Sequence, residues 1–172
     1  CSASPEAADS LPGTEKILEK FFSDCADFNT RSLALGGNPA HRARLFWLEG
    51  LVSGADLAGT VLRPLSTSPL LAEAAGPEDC ARLIAEGAVY NAGLQRRKEA
   101  GELREDLLNG FAVLLLPGAA FAFDTRSQEH RSIGEPKLDK SILGAKDTFT
   151  EILRINTTLL RRRLRTSELK LR

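Results

Sequence analysis

Six apolar residues, a Pro-Gly pair and five more apolar residues (FAVLLLPGAAFAF, 111–123) constrain this chain more than any other stretch. Proline at the first corner and glycine at the second suit a type II turn, so the two runs read as the arms of a β-hairpin. The first arm has no polar face. It therefore belongs inside a sheet, with cover on both sides. The same stretch is the closest approach to a membrane span. Pro117-Gly118 breaks it, and no apolar run reaches the roughly 18–20 residues a crossing needs.

The rest of the chain supplies the cover. Ile17, Leu18, Phe21, Phe22 and Cys25 recur with helical spacing and predict a helix over 14–25. Residues 27–35 alternate weakly and suit a strand, and ARLFWLEGLV (43–52) suits a central one. GADLAGTVLRPL (54–65) reads as a helix ended by Pro64, and SPLLAEAA as a further turn. GPEDCARLIAEG (76–87) has proline at a first helical position and glycine at its end. AVYNAGL (88–94) reads as a weak strand, and RKEAGELREDLLNG (97–110) as a polar helix closed by Asn-Gly. Intermixed helices and strands predict an α/β fold, a mixed β-sheet packed by helices, with a long C-terminal helix.

That last helix should begin near Gly144–Asp147, where Thr148 and Glu151 have capping-box spacing. Phe149, Ile152, Leu153, Leu159, Leu160 and Leu164 form one stripe at 100° per residue. Arg154, Thr158, Arg161, Arg162 and Arg165 lie opposite, and Arg163 falls near the stripe's edge. Asn156 sits within the stripe, where an unpaired amide would cost about 1–3 kcal/mol, so it should have a partner. The arginines then read as the polar side of a helix whose other side is core, either a solvated helix end or an assembly surface that an acidic partner would fit.

Charge narrows the function classes. The 23 basic and 23 acidic residues cancel, whereas nucleic-acid modules tend to be basic overall. The balance is uneven along the chain: residues 1–123 hold 11 Lys/Arg against 16 Asp/Glu, and 124–172 hold 12 against 7. Phosphate or anionic lipid could meet Arg161–Arg165, but no aromatic is interleaved there to stack a base. Cys1, Cys25 and Cys80 have no metal-ligand spacing, and three cysteines suit a reducing compartment better than a disulfide framework. Neither His41 nor His130 has neighbours at metal spacing. The cluster Asp124, Arg126, Glu129, His130, Arg131 and Glu135 could be an acid/base set or a loop ion-pair network, and its spacing matches no catalytic mechanism. No nucleophile motif is present, so the expectation is a non-enzyme without metal or cofactor. The sequence contains no Met, which reads as a piece of a longer protein.

Several short motifs occur together near the C-terminus. They are Asp124-Thr125-Arg126, Arg131-Ser132-Ile133, Glu135-Pro136 with Asp139, and Gly144-Ala145-Lys146-Asp147. Phe149-Thr150-Glu151, Asn156 with Leu159, and Arg161-Arg162-Arg163 follow, while LFWLEGLV, VLRPL and LLNGFAVLLLPGAAFAFDTRS precede. In this combination the chain resembles the A-subunit family of GerA-type bacterial spore germinant receptors, closely over 108–165 and loosely from 43. Leu143, Ala145 and Thr148 depart from the Arg, Pro and Gly common in that family.

The resemblance implies a soluble domain that faces the spore core, within a receptor of the spore inner membrane. Residues 1–13 would be a flexible leader, 14–143 the first α/β subdomain, and 144–172 a long helix and linker toward a second subdomain. Membrane contact would come only through a further C-terminal part. Partners would be B- and C-type subunits and other A copies, with no nucleic acid, and the role would be assembly and nutrient signal transduction. Direct binding of a small-molecule germinant, or of an anion or nucleic acid through Arg161–Arg165, are the alternatives. The motif residues expected to carry contacts are Asp124, Arg126, Arg131, Glu135, Pro136, Gly144, Lys146, Asp147, Glu151, Asn156, Arg161, Arg162 and Arg163.

Overall fold

The computed structural model describes residues 11–126, 153–164, 166 and 168–170. The chain starts with α1 (Leu11–Phe21), β1 (Phe28–Ala34) and β2 (Arg42–Leu48). A helical region follows: α2 (Gly54–Asp56), a π turn (Leu57–Leu62), α3 (Arg63–Thr67), α4 (Pro69–Ala72), α5 (Pro77–Leu83) and a second π turn (Ile84–Ala88). Then come β3 (Gln95–Arg97), α6 (Ala100–Leu108), β4 (Phe111–Leu116), β5 (Ala119–Asp124) and α7 (Leu153–Arg163).

The apolar hairpin forms as its composition demands. Leu116 pairs with Ala119 across Pro117-Gly118, and Gly118 takes the positive φ (82°) that a type II turn requires at its second corner. The five strands lie in the order β1-β2-β4-β5-β3, which places the hairpin inside the sheet. Every ladder is antiparallel, so the mixed sheet expected from sequence is corrected. Strand and helix signals alternate along the chain as they do in parallel-sheet folds. Here, however, the helices α2–α5 return to the far edge and deliver β3 antiparallel to β5.

Successive β4 side chains point to opposite faces. Ala112, Leu114 and Leu116 pack with Leu57, Val61, Leu65, Leu71 and Ile84 on the side of α2–α5. Val113 and Leu115 pack with Leu18, Phe22, Leu103 and Leu107 on the side of α1 and α6. The result is three layers, helix–sheet–helix. Phe22, Phe28 and Phe46 stack along the second face, with ring centroids 5.0 and 5.8 Å apart. Edge strand β3 is tied to α6 by Arg97, which donates to both oxygens of buried Asp106 at 2.8 and 3.0 Å.

Three local expectations differ from what forms. Pro64 does not end its helix: the chain widens into the π turn, and Arg63 N donates five residues back to Ala58 O. Proline therefore stands at the restart of α-helical register, where its missing N–H is tolerated. Residues 88–94 make no strand, because left-handed Gly87 ends the helix and Asn91 Oδ1 accepts from Gly93 N in an Asx turn. The strand is displaced to Gln95–Arg97. The first helix is described over Leu11–Phe21 and stops at Phe21, short of the end expected at residue 25. Of the long C-terminal helix, Leu153–Arg163 is described. Its expected start near Gly144–Asp147 and the Thr148/Glu151 cap lie outside the described residues.

Leu114 contacts the α2–α5 layer from the middle of β4 and is fully buried, whereas Leu70 on α4 is 58% exposed. Leu114→Ala should lower the unfolding free energy by about 2–5 kcal/mol. Leu70→Ala should change it by no more than about 0.5 kcal/mol. Equal urea midpoints for the two variants would contradict the layer assignment.

Candidate functional site

Two of the motif regions fall on described residues. The first is the corner at the end of β5. Thr125 is buried, and its carbonyl accepts from Ser53 N at 2.7 Å, which fixes the chain as it leaves the sheet. Asp124 and Arg126 flank it and close on one another. Asp124 Oδ1 accepts from Arg126 Nε at 2.8 Å and from its backbone N–H at 3.2 Å, and Oδ2 accepts from Nη2 at 2.5 Å. The guanidinium lies 5.2 Å from the centre of the Phe111 ring. Behind the carboxylate, a Cβ at Gly93 would collide with Asp124, and Asn91 Nδ2 donates to the Asp124 carbonyl at 3.2 Å.

The hydrogen bonds from Arg126 hold the Asp124 carboxyl below the usual carboxylate range against the opposing effect of burial, and Asp124 raises the Arg126 guanidinium. With both oxygens engaged, Asp124 has the features of an ion-pair partner rather than a free general base. Glu129, His130, Arg131, Glu135, Pro136, Gly144, Lys146, Asp147 and Glu151 lie outside the described residues, and so does Arg165.

The second region is α7 and the turn after it. Asn156 is half-buried there, as is Arg162, and Arg163 is exposed. Arg161 is neither on an outer face nor on a polar rim: only 1% of it is accessible. The expectation that it decorates an exposed side is corrected. Its Nε and Nη2 donate to the two oxygens of Asp27 at 2.9 and 2.8 Å, a bidentate pair across 134 positions of sequence. Its Nη1 donates to the carbonyls of Thr166 and Leu169 at 3.1 and 3.0 Å. Burial alone would lower its pKa, but the hydrogen bonds and charge of Asp27 outweigh that and raise it. The planar fork is matched to a carboxylate plus two carbonyls, which a lysine could not reproduce.

Other contacts converge on the same corner between α1 and β1. Lys170 Nζ donates to Phe21 O at 2.9 Å and Ser23 O at 2.8 Å, where a cation complements the C-terminus of α1. The Cys25 thiol lies 3.7 Å from Leu169 O. Gly50 (φ 87°) makes room for α7, since a Cβ there would strike the Thr158 side chain. Asp27 and Lys170 carry no local motif that could have marked them, and Gly50, within LFWLEGLV, and Cys25, on the stripe of the first helix, carried no sign of this contact. Helical geometry placed Arg161 relative to its neighbours but gave no information on what lies against that side.

Elsewhere, two further polar groups are tied to nearby protein atoms. A shallow, open depression is lined by Ala75, Gly76, Pro77, Glu78, Asp79 and Arg82. Asp79 accepts from Ala75 N at 3.0 Å and pairs with Arg82; that backbone bond and then Arg82 hold its carboxyl low. The buried His41 ring has Nδ1 2.9 Å from Leu71 O. Among the described residues no cluster of three or more metal-ligating side chains occurs, and no helix is long and apolar enough to cross a membrane.

Similarity to known proteins follows this architecture. Residues 16–172 match the family described as Bacillus/Clostridium GerA spore germination protein. Over 91 residues the chain is 37% identical to stage V sporulation protein AF of Bacillus subtilis, which covers 52% of this chain and 18% of the relative. It is 33% identical over 129 residues to spore germination protein B1 of the same organism, covering 74% of this chain and 26% of that one. The chain thus spans about a fifth to a quarter of these curated relatives. In fold it resembles the N-terminal domain of the A subunit of the Bacillus megaterium spore germinant receptor GerK3. The TM-score is 0.58 at 17% identity, over 89% of this chain and 54% of that one.

The corner at β5 yields a pH test. A carboxyl with a lowered folded pKa contributes stability above its unfolded value of about 3.9, and the contribution is lost as pH falls through the folded value. Arg126 is 57% exposed, so solvent screening limits the pair. Asp124→Asn should destabilise by about 0.5–1 kcal/mol at neutral pH. The gap to the parent protein should close in acid below the lowered pKa. Identical urea midpoints at neutral pH would contradict the pairing.

Proposed function

The chain belongs to the GerA family of Bacillus/Clostridium spore germination proteins, and from that premise we propose that it is a non-catalytic domain of an A-type germinant-receptor subunit. Its role in this reading is receptor assembly and the relay of a nutrient signal toward germination. The family match across residues 16–172 is the observation that carries the proposal. The full-length protein would sit in the spore inner membrane with this domain on the core side. Its partners would be B- and C-type subunits and other A copies.

The side-chain chemistry supports a packing role. Asp124 with Arg126, Asp106 with Arg97, Asp79 with Arg82 and Asp27 with Arg161 are each spent on an internal pair. Such pairs position backbone segments and leave few groups to turn over a substrate. In the lining of the shallow depression Asp79 and Arg82 are likewise paired with each other, which does not favour it as a nutrient site over a receptor-contact role. With Arg161 internal, the surface part of the arginine run among the described residues is Arg162 and Arg163.

Arg162→Glu with Arg163→Glu should leave the melting temperature of the purified chain within a few degrees, because exposed or half-exposed charges contribute about 0–1 kcal/mol each. In spores carrying the same change in the full-length protein, receptor abundance or nutrient-triggered germination should fall. Normal abundance together with normal germination would contradict the assembly reading.

A further inference from the structure

The arm formed by α7 and the turn after it is attached to the rest of the domain in an unusual way. The described members of both apolar clusters lie no later than Phe123, and none of the arm residues whose side chains are described, 156–164, 166 and 168–170, belongs to either. Among the arm residues whose burial is described, from 156 onward, Arg161 alone is buried, while Leu164 is 50% exposed and residues 156–160 are half-buried. The described contacts that fix the arm are largely polar: Arg161 on Asp27, Lys170 on Phe21 O and Ser23 O, and the close seat of Thr158 over Gly50.

One guanidinium does two things in this arrangement. Through Nη1 it gathers the Thr166 and Leu169 carbonyls and shapes the turn beyond the helix. Through Nε and Nη2 it docks that turn on Asp27. Folding of the arm's end and docking of the arm are thereby coupled. The receiving carboxylate stands on a firm base. Asp27 O accepts from Glu49 N at 2.7 Å and from Asn29 Nδ2 at 3.1 Å, at the start of the β1–β2 ladder.

The physics of a buried ion pair gives this joint a particular character. Desolvating both charges offsets much of their attraction, so a bidentate pair dictates orientation strongly and adds little net affinity relative to the separated, solvated groups. An apolar seam would be less selective about orientation and would contribute more per area buried.

We propose that the Arg161–Asp27 pair is a latch: the arm swings free as a unit, while the three-layer body stays folded, and returns to a single orientation. The domain then has two states that differ in where the arm lies. A partner that touches the arm or the 21–27 corner can shift the balance between them by its preference for one state. The latch is a property of this chain and does not rest on the receptor reading.

Hydrogen exchange read by mass spectrometry on the whole 172-residue chain tests it. In the unaltered protein, amides of 157–164 should exchange through openings that leave β4 and β5 protected. In Asp27→Asn, arm exchange should accelerate by roughly tenfold or more, with β4–β5 rates unchanged. Arm and hairpin amides exchanging together at one rate in the unaltered protein would overturn the proposal. So would an unchanged arm rate in a folded Asp27→Asn variant. Should that variant fail to fold, the comparison within the unaltered protein still decides.

Discussion

A β-hairpin that is apolar on both faces cannot sit at a surface, and the rest of this domain is arranged around that constraint. Phe111–Leu116 and Ala119–Asp124 form the hydrogen-bonded centre, and β2 and β3 protect its two edges. Two helical layers then close the faces, α2–α5 on one side and α1 with α6 on the other. Removing either layer would return a continuous apolar face to water, at about 25 cal/mol per Å². The order of elements follows: one layer is made before the hairpin by the long helical excursion between β2 and β3. The other is assembled from two helices far apart in sequence, α1 and α6.

Polar chemistry decides what apolar packing leaves free. The sheet's far edge is pinned by Arg97 on Asp106, the exit of β5 by Asp124 with Arg126 and buried Thr125, and the arm by Arg161 on Asp27. Each pair joins segments whose relative direction burial alone would not specify. The three differ in exposure, and with it in consequence. Arg126 is more than half exposed and its pairing is screened, whereas Arg161 is sealed, so its partner cannot be removed without leaving a buried charge. This distribution suits a family member whose work, in the reading preferred here, is to hold and relay position within a larger assembly.

Much of the sheet was legible in the sequence, for a reason that can be stated. FAVLLLPGAAFAF combines strand composition with a turn whose residues permit one geometry, and ARLFWL, its neighbour in the sheet, has Arg44 as its one polar residue. Local signals of that kind survive folding. The Asn91–Gly93 turn was also local but was read as part of a strand, because apolar Val89 and Leu94 flank it and mask the Asx chemistry. Pro64 misled in the opposite direction, since a π turn is invisible in composition and removes the usual penalty. The antiparallel sheet and the fate of Arg161 were not legible at all. Both depend on pairings across most of the chain, and a helical wheel describes angles around one axis without describing what lies outside it. Of the wheel's apolar stripe, Leu159 and Leu160 are half-buried and Leu164 is 50% exposed, and the acidic residue that captures Arg161 sits ahead of β1.

The central claim is that the two apolar clusters described within residues 11–126 hold together without the described arm, which is docked on them. Urea unfolding of the segment 11–126 alone, followed by far-ultraviolet and near-ultraviolet circular dichroism together, tests this most directly. The account predicts one cooperative transition with coincident curves at both wavelengths, at a midpoint somewhat below that of the whole chain. A segment that lacks near-ultraviolet structure, or that unfolds gradually with diverging curves, would show that the arm completes the core and would contradict the account.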